Sequence, residues 1–287
     1  MPHTPPEHRP GVAVVYLSWL PYGIDYLDRF LNSYRAHAAG LPHRLYILFN
    51  GTALSSDLAT FRARAAAIDH IALELPAGQD IDAYFFAAAQ VKEERILFLN
   101  TYSRFTSDNW LANFHRVYKS TDKIGLVGAT ASHQSLYSTV FQQPKGWEGS
   151  KGFNHNFRKY KLFVKAFFYW RLLIPPFPNP HIRTNAFFIA RDLFLSLKHK
   201  KLSRKFDAYL FESGRQSLTR QVLAKGYEAR VVDANGQGYA LFGARASRTF
   251  WTGEQEGALV TDNQTELYAG ADEAYRQYLR RISWGDE

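Results

Sequence analysis

Short apolar runs alternate with longer stretches of helical periodicity over the first 128 residues of the chain. The runs are rich in Val, Ile, Leu and Phe, and they predict buried strands at 12–17, 44–49, 70–75, 95–99 and 124–128. Between them, apolar side chains that recur every three or four residues predict helices at 26–37, 56–68, 81–91 and 107–118. Strands and helices that alternate in this way predict an α/β fold, with a mixed, mostly parallel sheet and helices on both faces.

The pattern loosens after residue 129 and becomes regular again near residue 186. From there it predicts two strands and two helices, the strands at 186–190 and 229–232 and the helices at 192–198 and 217–225. No internal repeat divides the chain. We therefore predict one α/β domain over 12–240, a disordered leader over 1–11, and a C-terminal extension over 241–287 that packs on the domain.

The charge of the chain is concentrated in one block. The formal net charge is +9, yet residues 149–191 contain eight Lys and Arg and no Asp or Glu. Within this block, 151–175 is a basic, aromatic and amphipathic segment, and its aromatic side chains recur at helical spacing. Two interpretations stay open: a helix over 153–171 that binds an anionic membrane surface, or a core helix whose charged residues face water.

Composition excludes several classes of protein and site. Without cysteine there is no disulfide scaffold, no thiolate nucleophile and no cysteine zinc site. No apolar stretch is long enough to cross a membrane, and neither a dinucleotide-binding GxGxxG, a P-loop nor a GxSxG elbow occurs. A pI of about 9.6 suggests nucleic acid as a partner. We nevertheless predict no nucleic-acid binding, because the basic residues form one block and no RNP, KH or helix-turn-helix signature occurs.

Polar residues follow the predicted strands at the edge where ligands bind in parallel sheets. Ser18 follows the first strand, Asn50 the second, Asp80 the third, and Asn100 and Thr101 the fourth. Because the carboxyl ends of parallel strands meet at one edge, we expect these side chains to lie near each other. Polar loop residues are also common without any function, so no single position decides this.

Several motifs fall in an order that resembles a known family. Ile96-Leu-Phe-Leu-Asn-Thr-Tyr-Ser103 is followed by Asn109-Trp-Leu111 and Gly125-Leu-Val-Gly-Ala129, and Gly78-Gln-Asp-Ile-Asp-Ala-Tyr84 precedes them. A late stretch from Phe211 to Tyr227 begins with an acidic motif and reaches Gly226 before a strand. Over about residues 12–240 this order resembles the family 2 glycosyltransferases with a GT-A fold. The stretch at 78–84 also resembles a GxDxxAY stretch of rhamnan and lipopolysaccharide glycosyltransferases.

The resemblance implies a GT-A-like, Rossmann-type sheet and a reaction. A sugar would pass from a nucleotide-sugar donor to an acceptor hydroxyl of a glycan or lipid-linked acceptor, in the synthesis of a bacterial cell-surface polysaccharide or lipopolysaccharide. An inverting member uses a carboxylate as general base. Glu212 is the positional match, with Asp207 next, although a helix N-terminal carboxylate is an alternative interpretation of Glu212.

The same resemblance assigns the binding residues. The donor would contact Ser18, Asn50, Asp80, Asn100 and Thr101. Arg183 and Asn185 would border the acceptor, the alternative being a loop that Pro180 anchors. Asp262 lies in a stretch at 251–268 that either covers the site or forms a helix with Asp262 as its cap.

One departure from the family concerns the metal. Asn100-Thr101-Tyr102 stands where the family has an Asp-x-Asp that binds a divalent cation, so the two carboxylates are missing. We favour an enzyme without a metal, in which cationic and hydroxyl side chains stabilise the departing diphosphate. A Mg²⁺ or Mn²⁺ site at Asp80 and Asp82 is a second interpretation. Loss of activity, which leaves a nucleotide-sugar-binding protein on the same fold, is a third.

These interpretations also predict where the protein acts. A nucleotide-sugar donor places it in the cytoplasm, and binding of 153–171 to anionic lipid would make it peripheral on the inner face of the cytoplasmic membrane.

Overall fold

The computed structural model of the protein describes residues 11–54, 57–139, 164, 170–199 and 205–286. Within these residues the strands are β1 (Val12–Trp19), β2 (Arg44–Asn50), β3 (Ile71–Leu75), β4 (Arg95–Leu99), β5 (Arg104–Phe105), β6 (Ile124–Gly128), β7 (Ala131–Ser132), β8 (His181–Ile182), β9 (Ala186–Ala190), β10 (Glu228–Val232), β11 (Gly238–Ala240) and β12 (Val260–Thr261). The helices are α1 (Ile24–Ala36), α2 (Leu58–Ala65), α3 (Asp80–Gln90), α4 (Trp110–Lys119), α5 (Leu136–Thr139), α6 (Arg171–Leu173), α7 (Arg191–Leu195), α8 (Lys205–Ser213), α9 (Leu218–Ala224), α10 (Asn263–Ala269) and α11 (Glu273–Trp284).

Eight of these strands form one sheet in the order β11-β10-β6-β9-β4-β1-β2-β3. The strands β3, β2, β1 and β4 run parallel to one another, and β10 runs parallel to β6. Two strands are antiparallel to their neighbours: β9, between β4 and β6, and the edge strand β11. The predicted mixed, mostly parallel α/β sheet is confirmed.

Helices cover both faces of the sheet, as predicted. Alternate residues of β1 point to opposite faces, because side chains alternate along a strand. Val14 and Tyr16 belong to the apolar core that α1, α2 and α4 cover, whereas Val15 and Leu17 belong to the core under α3, α8 and α9. Burial on both faces explains why β1 reads as a continuous apolar run.

The ends of two helices differ from the prediction. The helix predicted at 107–118 begins at Trp110, because Asn109 adopts a left-handed backbone conformation with φ of 59°. Asparagine tolerates this conformation better than most residues. The helix predicted at 56–68 is shorter in the structure, where α2 runs from Leu58 to Ala65.

Residues after 240 contact strands and loops of the main sheet region. The strand β12 pairs with β5, and the Ser283 and Ser132 hydroxyls share a hydrogen bond of 2.8 Å. The Trp284 indole N–H donates to the Phe250 carbonyl at 3.0 Å. The division into domains at 240 stays a prediction, and the predicted leader, apart from Gly11, lies outside the described residues.

Most of the basic aromatic segment at 151–175 also lies outside the described residues, so its predicted helix over 153–171 is untested. Among the residues that are described, no helix is both long and apolar enough to cross a membrane.

Candidate functional site

The carboxyl ends of the parallel strands meet the start of β9 at one edge of the sheet. In the strand register Trp19 lies opposite Asn50, and Leu99 lies opposite Ala186. Directly beyond that last pair, the Asn100 N–H donates to the Asn185 carbonyl at 2.8 Å. The fold therefore brings predicted donor and acceptor residues to a single edge.

The turn after β4 is held by its own side chains and by β1. The Asn100 Oδ1 accepts hydrogen bonds from the Tyr102 N–H at 3.1 Å and from the Ser103 hydroxyl at 2.9 Å. The Thr101 Oγ1 accepts from the Trp19 N–H at 3.2 Å. Asparagine and threonine thus build the turn after β4, through bonds that such short polar side chains commonly make.

This turn does not fit a divalent cation. The Asn100 Oδ1 and the Thr101 Oγ1 already accept hydrogen bonds, and Thr101 is buried. Among the described residues, no group of three or more His, Asp and Glu side chains is placed to hold a metal ion. Hard cations such as Mg²⁺ and Mn²⁺ prefer several oxygen ligands at one point. We therefore derive no chemical step through a metal.

The second interpretation of the metal site is also disfavoured. Asp80 and Asp82 lie two residues apart in the first turn of α3, and side chains at that spacing do not face each other on a helix. The Asp82 carboxylate instead pairs with the His199 Nε2 at 2.8 Å.

Asn50 and Ser18 lie inside the protein. The Asn50 side chain is 0% exposed, and its amide donates to the Gly78 carbonyl at 2.9 Å, while its Oδ1 is buried without a partner among the described residues. Ser18 is buried as well. The donor contacts predicted for these two residues stay predictions. In the structure Asn50 supports the turn at Gly78 that leads to Asp80.

Glu212 lies in the last turn of α8, so its interpretation as a helix N-terminal carboxylate is wrong. The C-terminal end of a helix disfavours a negative charge. Two hydrogen bonds compensate: the Thr184 N–H and the Thr184 hydroxyl both donate to the Glu212 Oε2, at 2.7 and 2.6 Å. Charge-assisted hydrogen bonds of this kind are among the stronger ones in proteins. Thr184 therefore fixes the carboxylate at the edge of the sheet.

Tyr84 links Glu212 to the donor side of the edge. Tyr84 is completely buried, and burial raises the pKa of its phenol well above the usual range, with Asp80 and Glu212 raising it further. Both carboxylates therefore lie close enough to act on the same phenol. A long hydrogen bond of 3.4 Å joins the Tyr84 hydroxyl to the Thr184 carbonyl.

Asp207 is separated from Glu212 along α8. It lies in the first turn of that helix, whereas Glu212 lies in the last. Their Cα atoms are thus about 7.5 Å apart along the helix axis, at 1.5 Å per residue. The two carboxylates do not occupy interchangeable positions, and the contacts with Thr184 favour Glu212.

Arg183 and Asn185 are bound within the protein at the same edge. The Arg183 guanidinium donates to the Asp262 Oδ2 at 2.8 Å and lies 4.1 Å from the centre of the Phe250 ring. The Asn185 Oδ1 accepts from the Thr130 hydroxyl at 2.7 Å. Both side chains are buried. Their predicted contact with the acceptor stays a prediction, and the geometry gives them the role of holding the loop before β9.

Asp262 both caps a helix and pairs with Arg183. Its Oδ1 accepts from the N–H groups of Gln264 and Thr265, at 3.1 and 2.9 Å, so the predicted helix cap is present. Its Oδ2 binds Arg183. The C-terminal region is thereby tied to the loop that carries Thr184.

An aromatic cluster at this edge was not predicted. It consists of Trp19, Tyr22, Tyr26 and Tyr102, and the ring centres of Tyr102 lie 5.4 Å from Tyr22 and 5.0 Å from Tyr26. Tyr22 is 50% exposed, so the cluster reaches the surface. Tyr22 lies in a short turn before α1 and Tyr26 lies in the first turn of that helix, so no helical spacing in the sequence indicates the cluster.

Comparison with known proteins gives structural similarities at low identity. No protein-family model matches the chain, and a search of curated proteins gives no match. A mannosyltransferase from Pyrobaculum calidifontis in complex with GDP-Man and Mn²⁺ is similar in structure, with 12% identity, a TM-score of 0.47, and coverage of 85% of this chain and 61% of that one.

Two further solved structures are similar over smaller parts. Glucosyl-3-phosphoglycerate synthase from Mycobacterium tuberculosis, in complex with Mn²⁺, UDP and glucosyl-3-phosphoglycerate, has 15% identity, a TM-score of 0.36, and coverage of 66% of this chain and 59% of that one. TarS from S. aureus in complex with UDP has 12% identity, a TM-score of 0.31, and coverage of 41% and 34%. The chain spans about three fifths of the length of the first two proteins.

An open depression of about 410 Å³ lies at the opposite edge of the sheet. It is lined by Glu93, Arg95 and Tyr118 and by residues 190–192, around the start of β4 and the end of β9. None of the predicted site residues lines it. The candidate site is therefore defined by hydrogen bonds and strand ends at the carboxyl edge.

The stability of the protein should fall when the pH drops below about 6.5. Burial lowers the pKa of His181 below its usual 6.5, although the charge of Glu212 opposes this shift. Burial also lowers the pKa of His43 and His115. Below that pH the unfolded chain binds protons that the folded chain does not, so unfolding becomes more favourable, by at most about 1.4 kcal/mol per pH unit for each histidine.

Urea unfolding at a series of pH values measures this effect. The midpoint should be constant above about pH 7 and should decrease below about pH 6.5, where free histidine begins to bind a proton. His181→Asn should make the decrease shallower. Equal midpoints across this range would contradict the prediction.

Proposed function

We propose that the protein is a glycosyltransferase that moves a sugar from a nucleotide-sugar donor to an acceptor hydroxyl, with Glu212 as the general base. One observation carries the proposal. The Glu212 carboxylate is held by Thr184 at the carboxyl edge of the sheet, where ligands bind in α/β proteins. The motifs that resemble the GT-A glycosyltransferases support the reaction.

The geometry suits a base that is fixed by one oxygen and reacts through the other. Both hydrogen bonds from Thr184 go to the Glu212 Oε2. In the proposed step the Glu212 Oε1 takes the proton of the acceptor hydroxyl while the hydroxyl oxygen attacks the anomeric carbon of the donor. The bond from that carbon to the diphosphate breaks, and the diphosphate leaves with the electron pair. A single displacement of this kind inverts the anomeric configuration.

Hydroxyl groups are the proposed partners of the departing diphosphate. Burial raises the pKa of Tyr102 well above its usual value, and Tyr22, Tyr26 and Asp80 raise it further. The phenol therefore keeps its proton and can donate a hydrogen bond as negative charge develops. Together with the turn at Asn100 and Thr101, Tyr102 would act where the family has its second metal-binding carboxylate.

The proposed context is cell-surface polysaccharide or lipopolysaccharide synthesis at the cytoplasmic face of a membrane. The sequence motifs support the first part, and the basic aromatic segment at 151–175 supports the second. Sedimentation with anionic vesicles tests the membrane contact, since an interfacial basic helix binds anionic lipid most strongly at low salt. If the protein does not sediment with anionic vesicles at low salt, the proposed membrane contact is wrong.

The donor prediction is tested at Thr101 and Asn50. Thr101→Ala and Asn50→Ala should each weaken nucleotide-sugar binding by about tenfold, because each leaves a partly buried backbone group near the donor side without its partner. Titration calorimetry with UDP-, GDP- and dTDP-sugars measures the affinity.

Thr121→Ala is the matched control for these variants. Its hydroxyl also accepts a backbone N–H, from Lys123 at 3.0 Å, but at the opposite edge of the sheet. It should leave donor affinity unchanged. If Thr101→Ala and Asn50→Ala bind the donor as tightly as Thr121→Ala does, the donor site is placed wrongly.

A catalytically silent nucleotide-sugar-binding protein is the second candidate. The turn at Asn100, Thr101 and Tyr102 favours it, because this turn does not fit the metal that the family uses. Donor binding without any transfer or hydrolysis, with and without Mn²⁺, would support this candidate over the enzyme.

A further inference from the structure

Three arginines belong to segments that contact one another beside the end of α8. The Arg215 N–H donates to the Leu173 carbonyl at 2.8 Å, and the Arg215 guanidinium donates to the Arg171 carbonyl at 3.1 Å. These bonds fix Arg215 against α6, which begins at Arg171. Both arginines are exposed.

Arg220 completes the group from α9. Its guanidinium donates to the Asn179 Oδ1 at 3.2 Å, while its Nε is buried without a hydrogen-bond partner among the described residues. Burial lowers the pKa of Arg220, and the positive charge of Arg215 lowers it further. The two guanidinium groups therefore lie close enough to repel each other.

Among the described residues, no carboxylate balances the charges of these arginines. Within the part of the chain that the structure describes, none of the three forms an ion pair. Other arginines do, for example Arg183 with Asp262 at 2.8 Å. Arg171 also belongs to a stretch of sequence, residues 149–191, that contains no Asp or Glu. A cluster of like charges without counter-ions favours binding of an anion.

The position of the cluster points to the acceptor. Arg215 is the third residue after Glu212, and the Asn179 amide that holds Arg220 also donates to the Ser213 carbonyl at 2.7 Å. The cluster therefore adjoins the end of α8 that carries the proposed base. Guanidinium groups bind phosphate oxygens in a paired geometry, which makes arginine the preferred residue for phosphate recognition.

We propose that Arg171, Arg215 and Arg220 form a binding site for a phosphate group carried by the acceptor. The site would define the class of acceptor as one that carries a phosphate, and in that respect the proposal rests on the proposed function. Phosphate binding at the three arginines does not itself require sugar transfer. The same chemistry would serve a soluble sugar phosphate and a lipid phosphate.

Titration of the full chain with inorganic phosphate at low ionic strength tests the site. Arg215→Gln and Arg220→Gln should each weaken phosphate binding by about tenfold, because each removes charge-assisted hydrogen bonds to the anion. Arg64→Gln is the control, since Arg64 is exposed but pairs with Asp28 at 2.7 Å. Phosphate affinity that is equal in all three variants, or a wild-type protein that does not bind phosphate, would overturn the proposal.

Vesicles distinguish the two sources of phosphate. A lipid-borne phosphate is supported if the protein sediments more with phosphatidic acid vesicles than with phosphatidylserine vesicles. Arg215→Gln should then abolish this difference. Phosphate binding without such sedimentation supports a soluble one. Equal sedimentation with both lipids, unchanged in Arg215→Gln and without phosphate binding in solution, overturns the site.

Nucleotide-sugar titrations of the same variants separate this proposal from the enzyme proposal. Donor affinity should be equal in wild type and in the arginine variants. If the wild-type protein binds phosphate through these arginines but binds no nucleotide sugar, the phosphate site stands and the proposed function fails.

Discussion

Glu212→Gln should reduce sugar transfer by roughly 10²–10⁴-fold, the usual contribution of a general base. The amide keeps the size of the carboxylate and can still accept the two hydrogen bonds from Thr184, which lie at 2.7 and 2.6 Å. It cannot take the proton of the acceptor hydroxyl. Donor affinity, measured by titration, should therefore stay the same while the turnover number falls.

Asp207→Asn is the control for this variant. Asp207 lies in the same helix, α8, but in its first turn, away from Thr184. We expect this change to leave most of the activity. If Asp207→Asn abolished transfer and Glu212→Gln did not, the base would be Asp207; if both variants stayed active, the inverting mechanism itself would be wrong.

Thr184→Val tests whether the carboxylate must be held. Valine removes the hydroxyl donor and keeps the backbone N–H, so Glu212 loses one of its two bonds. A positioning residue of this kind should lower the turnover number by about tenfold and leave the Michaelis constant for the donor unchanged, because only the transition state needs the exact orientation. A variant that instead changes only the Michaelis constant would assign Thr184 to binding.

The sheet could be predicted because its signals are local. Each buried strand is a continuous apolar run, and each helix has its own periodicity, as in β1 and α1. The direction of β9 could not be predicted, since nothing in the five residues Ala186–Ala190 distinguishes an antiparallel strand from a parallel one. That direction matters, because it brings the start of β9, and with it Thr184 and Asn185, to the edge where the parallel strands end.

The site was predicted less well because its contacts span long distances along the chain. The predicted strand ends placed Asn100 and Thr101 at the carboxyl edge of the sheet, where the structure also has them. The burial of Asn50 could not be foreseen, since it depends on the Gly78 carbonyl, which lies 28 residues away. The support of Glu212 by Thr184 spans 28 residues as well.

The pairing of Arg183 with Asp262 shows the same limit most clearly. The two residues are 79 positions apart, and the sequence showed each only in its local role, as a loop arginine and as a helix cap. In the structure, the Asp262 side chain is 0% exposed and that of Arg183 is 11% exposed. This buried ion pair connects the C-terminal region to the loop that positions the proposed base.

Asp262→Asn should therefore destabilise the protein by about 3–5 kcal/mol, the usual cost of removing one partner of a buried ion pair. Asparagine is as good a helix cap as aspartate, so the bonds to the Gln264 and Thr265 N–H groups can persist. The Arg183 guanidinium, however, is left buried without its carboxylate. The free energy of unfolding in urea measures the loss.

Asp272→Asn is the matched control for that experiment. Asp272 also caps a helix, α11, where it accepts from the Tyr275 N–H at 2.8 Å, but it is exposed. Its replacement should change the free energy of unfolding by only a few tenths of a kcal/mol, roughly what one good cap costs when exchanged for another. Equal small losses in Asp262→Asn and Asp272→Asn would show that Asp262 acts only as a cap. The ion pair orders the loop behind Thr184 if only Asp262→Asn shows a large loss of stability. Asp262→Asn should then also have reduced sugar transfer at urea concentrations well below its unfolding transition.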